Sequence, residues 1–473
     1  MQFDSLTFIV FFALVALSYR CVGDWGHRKN LLLLSSYVFY AAWNPLFLPL
    51  LVTTSFLDWY LAGFLAKETN PVKRKYWLWA IIAINLGVLT YFKYAFFISS
   101  SLANAAQALG MDWTAEPFSI VLPIGISFYT FHSLSYCIDI YRRKFDPVES
   151  LRDYLLYVSF FPQLVAGPIV RWSEMKSQIQ SPRRMTTSST GLGLCLMILG
   201  LFEKIVLADT IFAPVADAYF SASIDQTAQQ GWVATLAFSG QIFCDFAGYT
   251  TCALGAALIL GFRLPINFLN PYTALGFSDF WRRWHITLSS WLRDYLYIGL
   301  GGSRGGKFRT ARNLMLTMLI GGLWHGAAWT FVVWGGLHGL LLILERALGS
   351  ILPTTIKNTA LSRWCYRLCT LLCVLVTWVW FRSPSLEEAL HSTVLLFDLP
   401  QLLNSTTDMS GAEWLALTSA LGLIAGQWLM GDRQAAEVIV KTPTVLVGLL
   451  TGALLALIIL SPGESHAFIY FQF

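Results

Sequence analysis

Two histidines stand where a membrane protein has reason not to place them. His325 sits in Gly321-Gly322-Leu323-Trp324-His325-Gly326-Ala327-Ala328-Trp329, inside an apolar stretch from Leu314 to Leu344. His285 closes the block Asp279-Phe280-Trp281-Arg282-Arg283-Trp284-His285. An ionisable side chain at membrane depth is costly and marks a functional site by default. A neutral imidazole there can take a proton from a hydroxyl, the step that acyl transfer to an alcohol requires. Glycines at 321, 322 and 326 remove bulk around His325, so a helix or a ligand can pass close to the ring. Trp324 and Trp329 are candidate walls of such a passage. The chain carries neither a G-x-S-x-G elbow nor a Ser-His-Asp order, so a covalent serine mechanism has no support.

His285 is predicted on the buried face of an amphipathic helix. Apolar residues fall at Phe277, Phe280, Trp281, Trp284, Leu288, Trp291, Leu292 and Tyr295, in steps of three and four. Asp279 and Arg283 form an i,i+4 pair off that stripe. A helix that is aromatic, basic and amphipathic belongs in the membrane interface rather than across it. His285 is then either a structural histidine needing a hydrogen-bond partner or a helper in catalysis. Downstream, Gly299-Leu300-Gly301-Gly302-Ser303-Arg304-Gly305-Gly306-Lys307 is a basic glycine-rich turn whose backbone could approach a phosphate. It is not a Walker loop. Arg304 and Lys307 are the candidate contacts if the donor carries phosphates. His338 is expected to serve packing or a helix–helix hydrogen bond. On a continuous helix the thirteen residues after His325, at ~100° each, place it ~220° away. His27, His132, His391 and His466 have no comparable setting.

The elements that must position these residues follow from composition. Of 473 residues, 56% are hydrophobic and only 12% charged, with mean hydropathy +0.58. A soluble protein carries about a quarter charged residues. Apolar runs recur along the whole chain with no long polar linker, so residues 1–473 read as a single membrane-embedded domain rather than three soluble ones. The net charge of +5 comes from short basic clusters between apolar runs, the pattern of cytoplasmic loops and not of a nucleic-acid partner. The eight cysteines are scattered, without CxxC or His/Cys metal spacing, so neither a disulfide framework nor a metal site is expected. Cys244 reads as a small packing residue. Asp4 precedes the first apolar run and Arg20, His27, Arg28 and Lys29 follow it, which is not the order of a signal peptide.

Candidate spans run Leu6–Leu17, Leu31–Ala42, Leu46–Ala66, Trp77–Phe97, Ser119–Ile140, Tyr154–Val170, Gly191–Ala208, Trp232–Leu260, Leu314–Leu344, Cys365–Phe381, Ala412–Met430 and Val445–Leu460. Several are short or interrupted by Pro or Gly, which predicts broken or re-entrant pieces among about a dozen helices. The loops at Lys67–Lys75, Arg142–Lys144, Arg183–Arg184 and Arg263–Arg312 are assigned to the cytoplasm. Ser100 to Pro117, with Asp112 and Glu116 and no Lys or Arg, is assigned outside.

The chain resembles the membrane-bound O-acyltransferases, and within them the alginate O-acetylation branch. The matching stretches are Leu122–Phe128, Phe161–Ile169, Asp245-Phe246-Ala247-Gly248-Tyr249, Asp279–His285 and Gly322–Gly326. The chain departs at Thr250-Thr251, where relatives often have Ser-Asp. The resemblance implies an all-α polytopic fold with spanning helices around a central pore. It implies His325 as the catalytic residue and His285 as functionally important. It also implies a bacterial inner-membrane location and an acetyl group drawn from a cytoplasmic donor, acetyl-CoA. That group passes to an extracytoplasmic partner protein that acetylates an exopolysaccharide such as alginate or cellulose. Asp279, Arg304, Lys307, Trp324 and Trp329 are the candidate substrate contacts. The competing function is a transporter, in which broken helices and buried histidines move substrate or protons. Few buried carboxylates are expected, which counts against it. A scaffold gains nothing from a histidine at that depth.

Overall fold

The computed structural model describes all residues except 116–119, 222–225, 352–358, 405–407, 462–467 and 470–473. Glu116, Ser119 and His466 lie outside the described residues. Among the described residues all regular secondary structure is helical. Six helices are long and apolar enough to cross a membrane: Pro45–Lys67, Pro71–Ala108, Thr187–Ser221, Ala228–Ile259, Trp329–Gly349 and Ala360–Arg382. A seventh candidate is the pair Gly411–Met430 and Ala435–Lys441, bent by 69°. Leu6–Cys21 and Thr444–Leu460 are apolar but shorter. The polytopic all-α architecture is therefore present, and several of the twelve runs are not uninterrupted spans.

The chain divides into two compact units, residues 1–191 with 256–264, and residues 192–255 with 265–473. In the first unit the Pro71 helix starts where Asn70 caps it, Oδ1 accepting from the backbone N–H of Val72 and Lys73, with proline at the first helical position. The run Tyr154–Val170 breaks instead of spanning. The Leu151–Ser159 helix ends at Phe160, and Phe161–Leu164 forms one further turn with Pro162 in it. Proline cannot continue a helix, and the freed backbone must find partners inside the protein. It does so on His132: the Val170 N–H donates to His132 Nε2 at 3.1 Å, and the Tyr157 hydroxyl donates to the Val170 carbonyl at 3.0 Å. His132 is fully buried on the Ile126–Tyr141 helix, so it has a defined structural task that its sequence setting did not reveal.

In the second unit, Lys204 is enclosed with two carboxylates. Its ammonium meets Asp209 at 2.8 Å and also pairs with Asp245, all three side chains being buried. Lys204 and Asp209 lie on a wide helical stretch, Phe202–Phe212, whose π geometry brings residues five apart onto one side. Helix backbones meet closely beside it. A Cβ on Gly248 would stand 2.9 Å from the Lys204 backbone nitrogen and 2.6 Å from the Gly200 carbonyl. The expectation of few buried carboxylates is corrected here: among the described residues Asp58, Asp139, Asp153, Asp209 and Asp245 are all buried. Burial is tolerable because each has a polar neighbour, Asn85 for Asp58, Lys144 for Asp139, Lys29 for Asp153 and Lys204 for the other two.

Candidate active site

The predicted single helix from Phe277 to Tyr295 is two helices with a break at His285. Phe277–Arg283 ends, His285 takes a left-handed backbone (φ 41°, ψ 55°), and Ile286–Trp291 begins anew. The cause is a neighbouring segment that offers better hydrogen bonds than helix continuation. The Leu269 N–H donates to the Arg283 carbonyl at 3.0 Å, and the Ile286 N–H to the Asn267 carbonyl at 2.9 Å. The Thr287 hydroxyl adds a 2.6 Å bond to Asn267 Oδ1. A non-glycine residue with positive φ is uncommon and persists only where its surroundings fix it. His285 is nonetheless completely buried, as its place on the apolar stripe predicted. Its ring lies edge-on to Phe246, with centroids 4.6 Å apart, and 5.9 Å from Trp324.

His325 is the last residue of the helix Lys307–His325, and Gly326 after it is extended. The apolar stretch Leu314–Leu344 is thus not one helix. It is a hairpin whose second arm starts at Trp329. The arms pack backbone to backbone: a Cβ on Gly322 would run into the Phe331 carbonyl, and one on Gly335 into the Met318 carbonyl. A Cβ on Gly326 would strike the Phe331 ring. The glycines near His325 therefore serve close packing, and that packing delivers the ring into an aromatic shell. Its centroid is 5.0 Å from Trp324, 5.1 Å from Trp334 and 5.4 Å from Phe381. Only 3% of the residue is exposed.

The structure brings together three of the residues singled out in the sequence: His285, Trp324 and His325, with the indole between the two imidazoles. It holds the other four in different places. Asp279 is engaged by its own helix, accepting from Arg283 Nε at 2.9 Å and from the Leu275 N–H at 3.0 Å. Arg283 reaches on to Asp432 at 2.8 Å. Trp329 opens the second arm and is half exposed. Arg304 and Lys307 are exposed on the glycine turn, where glycines 301, 302, 305 and 306 all have positive φ. From Lys307 to His325 the helix is 19 residues long, a rise of about 27 Å. The basic turn and the histidine are at its opposite ends.

The expected helix–helix hydrogen bond of His338 is present, to Thr377 on the helix Ala360–Arg382 at 3.1 Å, but the continuous-helix assumption misjudged where the ring sits. Because the chain reverses after His325, the ~220° angle does not apply. His338 packs 4.8 Å from the same Trp334 ring that borders His325. Sequence reasoning also passed over Trp334 and Phe381, ordinary aromatic residues in apolar runs, and met Phe246 only within a matching stretch. The buried Lys204 and Asp245 did leave a signal, charges inside two candidate spans.

A profile of the membrane-bound O-acyltransferase family matches residues 78–383. The chain belongs to that family. The chain is similar to "Probable alginate O-acetylase" of Azotobacter vinelandii, 40% identical over 432 residues, 90% of this chain and 83% of that protein. "Peptidoglycan O-acetyltransferase" of Helicobacter pylori is 37% identical over 76% of this chain and 72% of its own length. "Teichoic acid D-alanyltransferase" of Streptococcus thermophilus is 31% identical over 47% of this chain. Membership makes the chain a multi-pass membrane acyltransferase. The matched region contains both histidines and the aromatic shell around them.

Proposed function

We propose that this acyltransferase moves an acetyl group from a cytoplasmic donor, acetyl-CoA, across the bacterial inner membrane for O-acetylation of an exopolysaccharide, with His325 as the general base. The observation that carries the assignment is the placement of His325. It is a buried imidazole at a helix end, in an aromatic shell that excludes water. In this reading Nε2 or Nδ1 of His325 takes the proton of the accepting hydroxyl as its oxygen attacks the acetyl carbonyl. The proton then passes to the departing thiolate, so charge balances over the cycle. His285, across Trp324, orients the shell. Arg304 and Lys307 attract the donor's phosphates at the far end of the same helix, and Asp279 keeps the intervening segment in place. Relatives named for alginate and for peptidoglycan O-acetylation support a polysaccharide as final acceptor. An extracytoplasmic partner protein would work with it, the accepting hydroxyl belonging to the polysaccharide or to that partner.

The test is His325→Ala in cells, with polysaccharide O-acetyl content measured against the amount of membrane-inserted protein. The proposal expects transfer to fall by ~100- to 10,000-fold, the range for a lost general base. Acetylation at the original level in that variant removes His325 from the mechanism.

A further inference from the structure

His338 lies on the helix Trp329–Ile351, fully buried, with Phe280, Trp281 and Trp334 rings around it at centroid distances of 5.9, 5.1 and 4.8 Å. One ring nitrogen is accounted for: Nε2 is 3.1 Å from the Thr377 hydroxyl oxygen. That hydroxyl spends its own proton on the Val374 carbonyl at 2.8 Å. Its oxygen must then accept, so Nε2 is assigned the proton and Nδ1 the lone pair. Among the described residues, Nδ1 of His338 is buried without a hydrogen-bond partner, and so are the indole N–H groups of Trp281 and Trp334. An acceptor and two donors in one aromatic shell are left over, in a setting where buried polar atoms are normally satisfied. Packing alone gives no reason for a histidine here, since phenylalanine would fill the same ring space at no polar cost.

We infer that His338 is a polar subsite of the reaction centre, whose Nδ1 accepts a hydrogen bond from a hydroxyl-bearing guest, the acceptor's hydroxyl or a water molecule. Its place supports this. His325 and His338 each lie within about 5 Å of the Trp334 ring centre, so the two imidazoles are at most about 10 Å apart. Thr377 fixes the tautomer that makes Nδ1 the acceptor. The role rests on the assignment of His325 to the reaction, and it gives the aromatic shell a second point at which an O–H group is held.

The decisive comparison is His338→Asn against His338→Phe. Asparagine puts a polar atom near the Nδ1 position but fills less space. Phenylalanine fills the space without an acceptor. Membrane vesicles supplied with acetyl-CoA and an alginate oligosaccharide give rates, and melting in detergent gives stability. The subsite predicts that His338→Phe loses about tenfold in rate, the scale of one hydrogen bond, with its melting temperature kept. His338→Asn keeps more activity than His338→Phe despite lower stability. A pure packing role predicts the reverse order, and wild-type rates in His338→Phe overturn the inference. Thr377→Val leaves the ring in place and frees the tautomer, so it should slow transfer, whereas Thr377→Ser should not. Equal rates in these two Thr377 variants also count against it. A raised KM for the oligosaccharide in His338→Phe assigns the guest to the acceptor, and a lowered kcat alone assigns it to water. His325→Ala run alongside separates the claims. If that variant stays active the base assignment fails, while the order of the His338 pair still decides the subsite.

Discussion

His132 and His325 are both buried histidines on helices of a membrane protein, and their surroundings differ in kind. His132 spends Nε2 on a backbone N–H where a broken run needed an acceptor. Its ring also stands 5.9 Å from Tyr157, and the Nε2 bond ties main chain together within the fold. His325 is bordered by the faces and edges of Trp324, Trp334 and Phe381. Rings exclude water and hold an imidazole in place. Burial alone therefore does not separate a structural histidine from a reactive one. On the proposed assignment of His325, the identity of the neighbouring groups does.

The contrast can be broken at several points. The largest structural effect is expected at Lys204→Met, which leaves Asp209 and Asp245 buried together without their cation. Stability should fall by ~3–5 kcal/mol, read as a drop in melting temperature of the detergent-solubilised protein. Lys204→Met with Asp245→Asn should recover part of that loss, and no recovery would mean the pair is not energetically coupled. Next is His132→Leu, which strands the Val170 N–H and should cost ~1–3 kcal/mol. Its specific activity per folded molecule should stay at the wild-type level, and a selective loss of activity would erase the distinction drawn from its backbone bond. The smallest effect belongs to Asp279→Asn. The Arg283 pair is a partly exposed helix pair, so stability should change by no more than ~1 kcal/mol. A rise in donor or acceptor KM in that variant would support Asp279 as a substrate contact.

Much of this was legible in the residues. The excess of apolar runs and the shortage of charge prescribe a helical membrane protein. The steps of three and four before His285 correctly buried that ring, because side-chain periodicity survives even when the helix breaks. The break itself was hidden. It depends on contacts with Asn267 and Leu269 that no local pattern announces, since the competing hydrogen bonds come from a segment fourteen or more residues away.

 The Leu269 N–H and the Asn267 side chain are the partners that matter. The hairpin at Gly326 was hidden for a related reason. A run of apolar residues looks the same whether the helix continues or turns back, and only the fit of Gly322 against Gly335 decides. That one turn explains why His338, set aside on a continuous helix, belongs beside Trp334. The ion cluster at Lys204 needed a π-shaped stretch to bring residues five apart together, a geometry that ordinary helical spacing does not anticipate.

The most direct measurement is acetyl transfer from labelled acetyl-CoA in membrane vesicles carrying either His325→Ala or His132→Leu, with melting recorded for both. His325→Ala is expected to melt like the wild type and to transfer at least ~100-fold more slowly, while His132→Leu melts early and transfers normally while folded. Transfer by His325→Ala at the wild-type rate would contradict it.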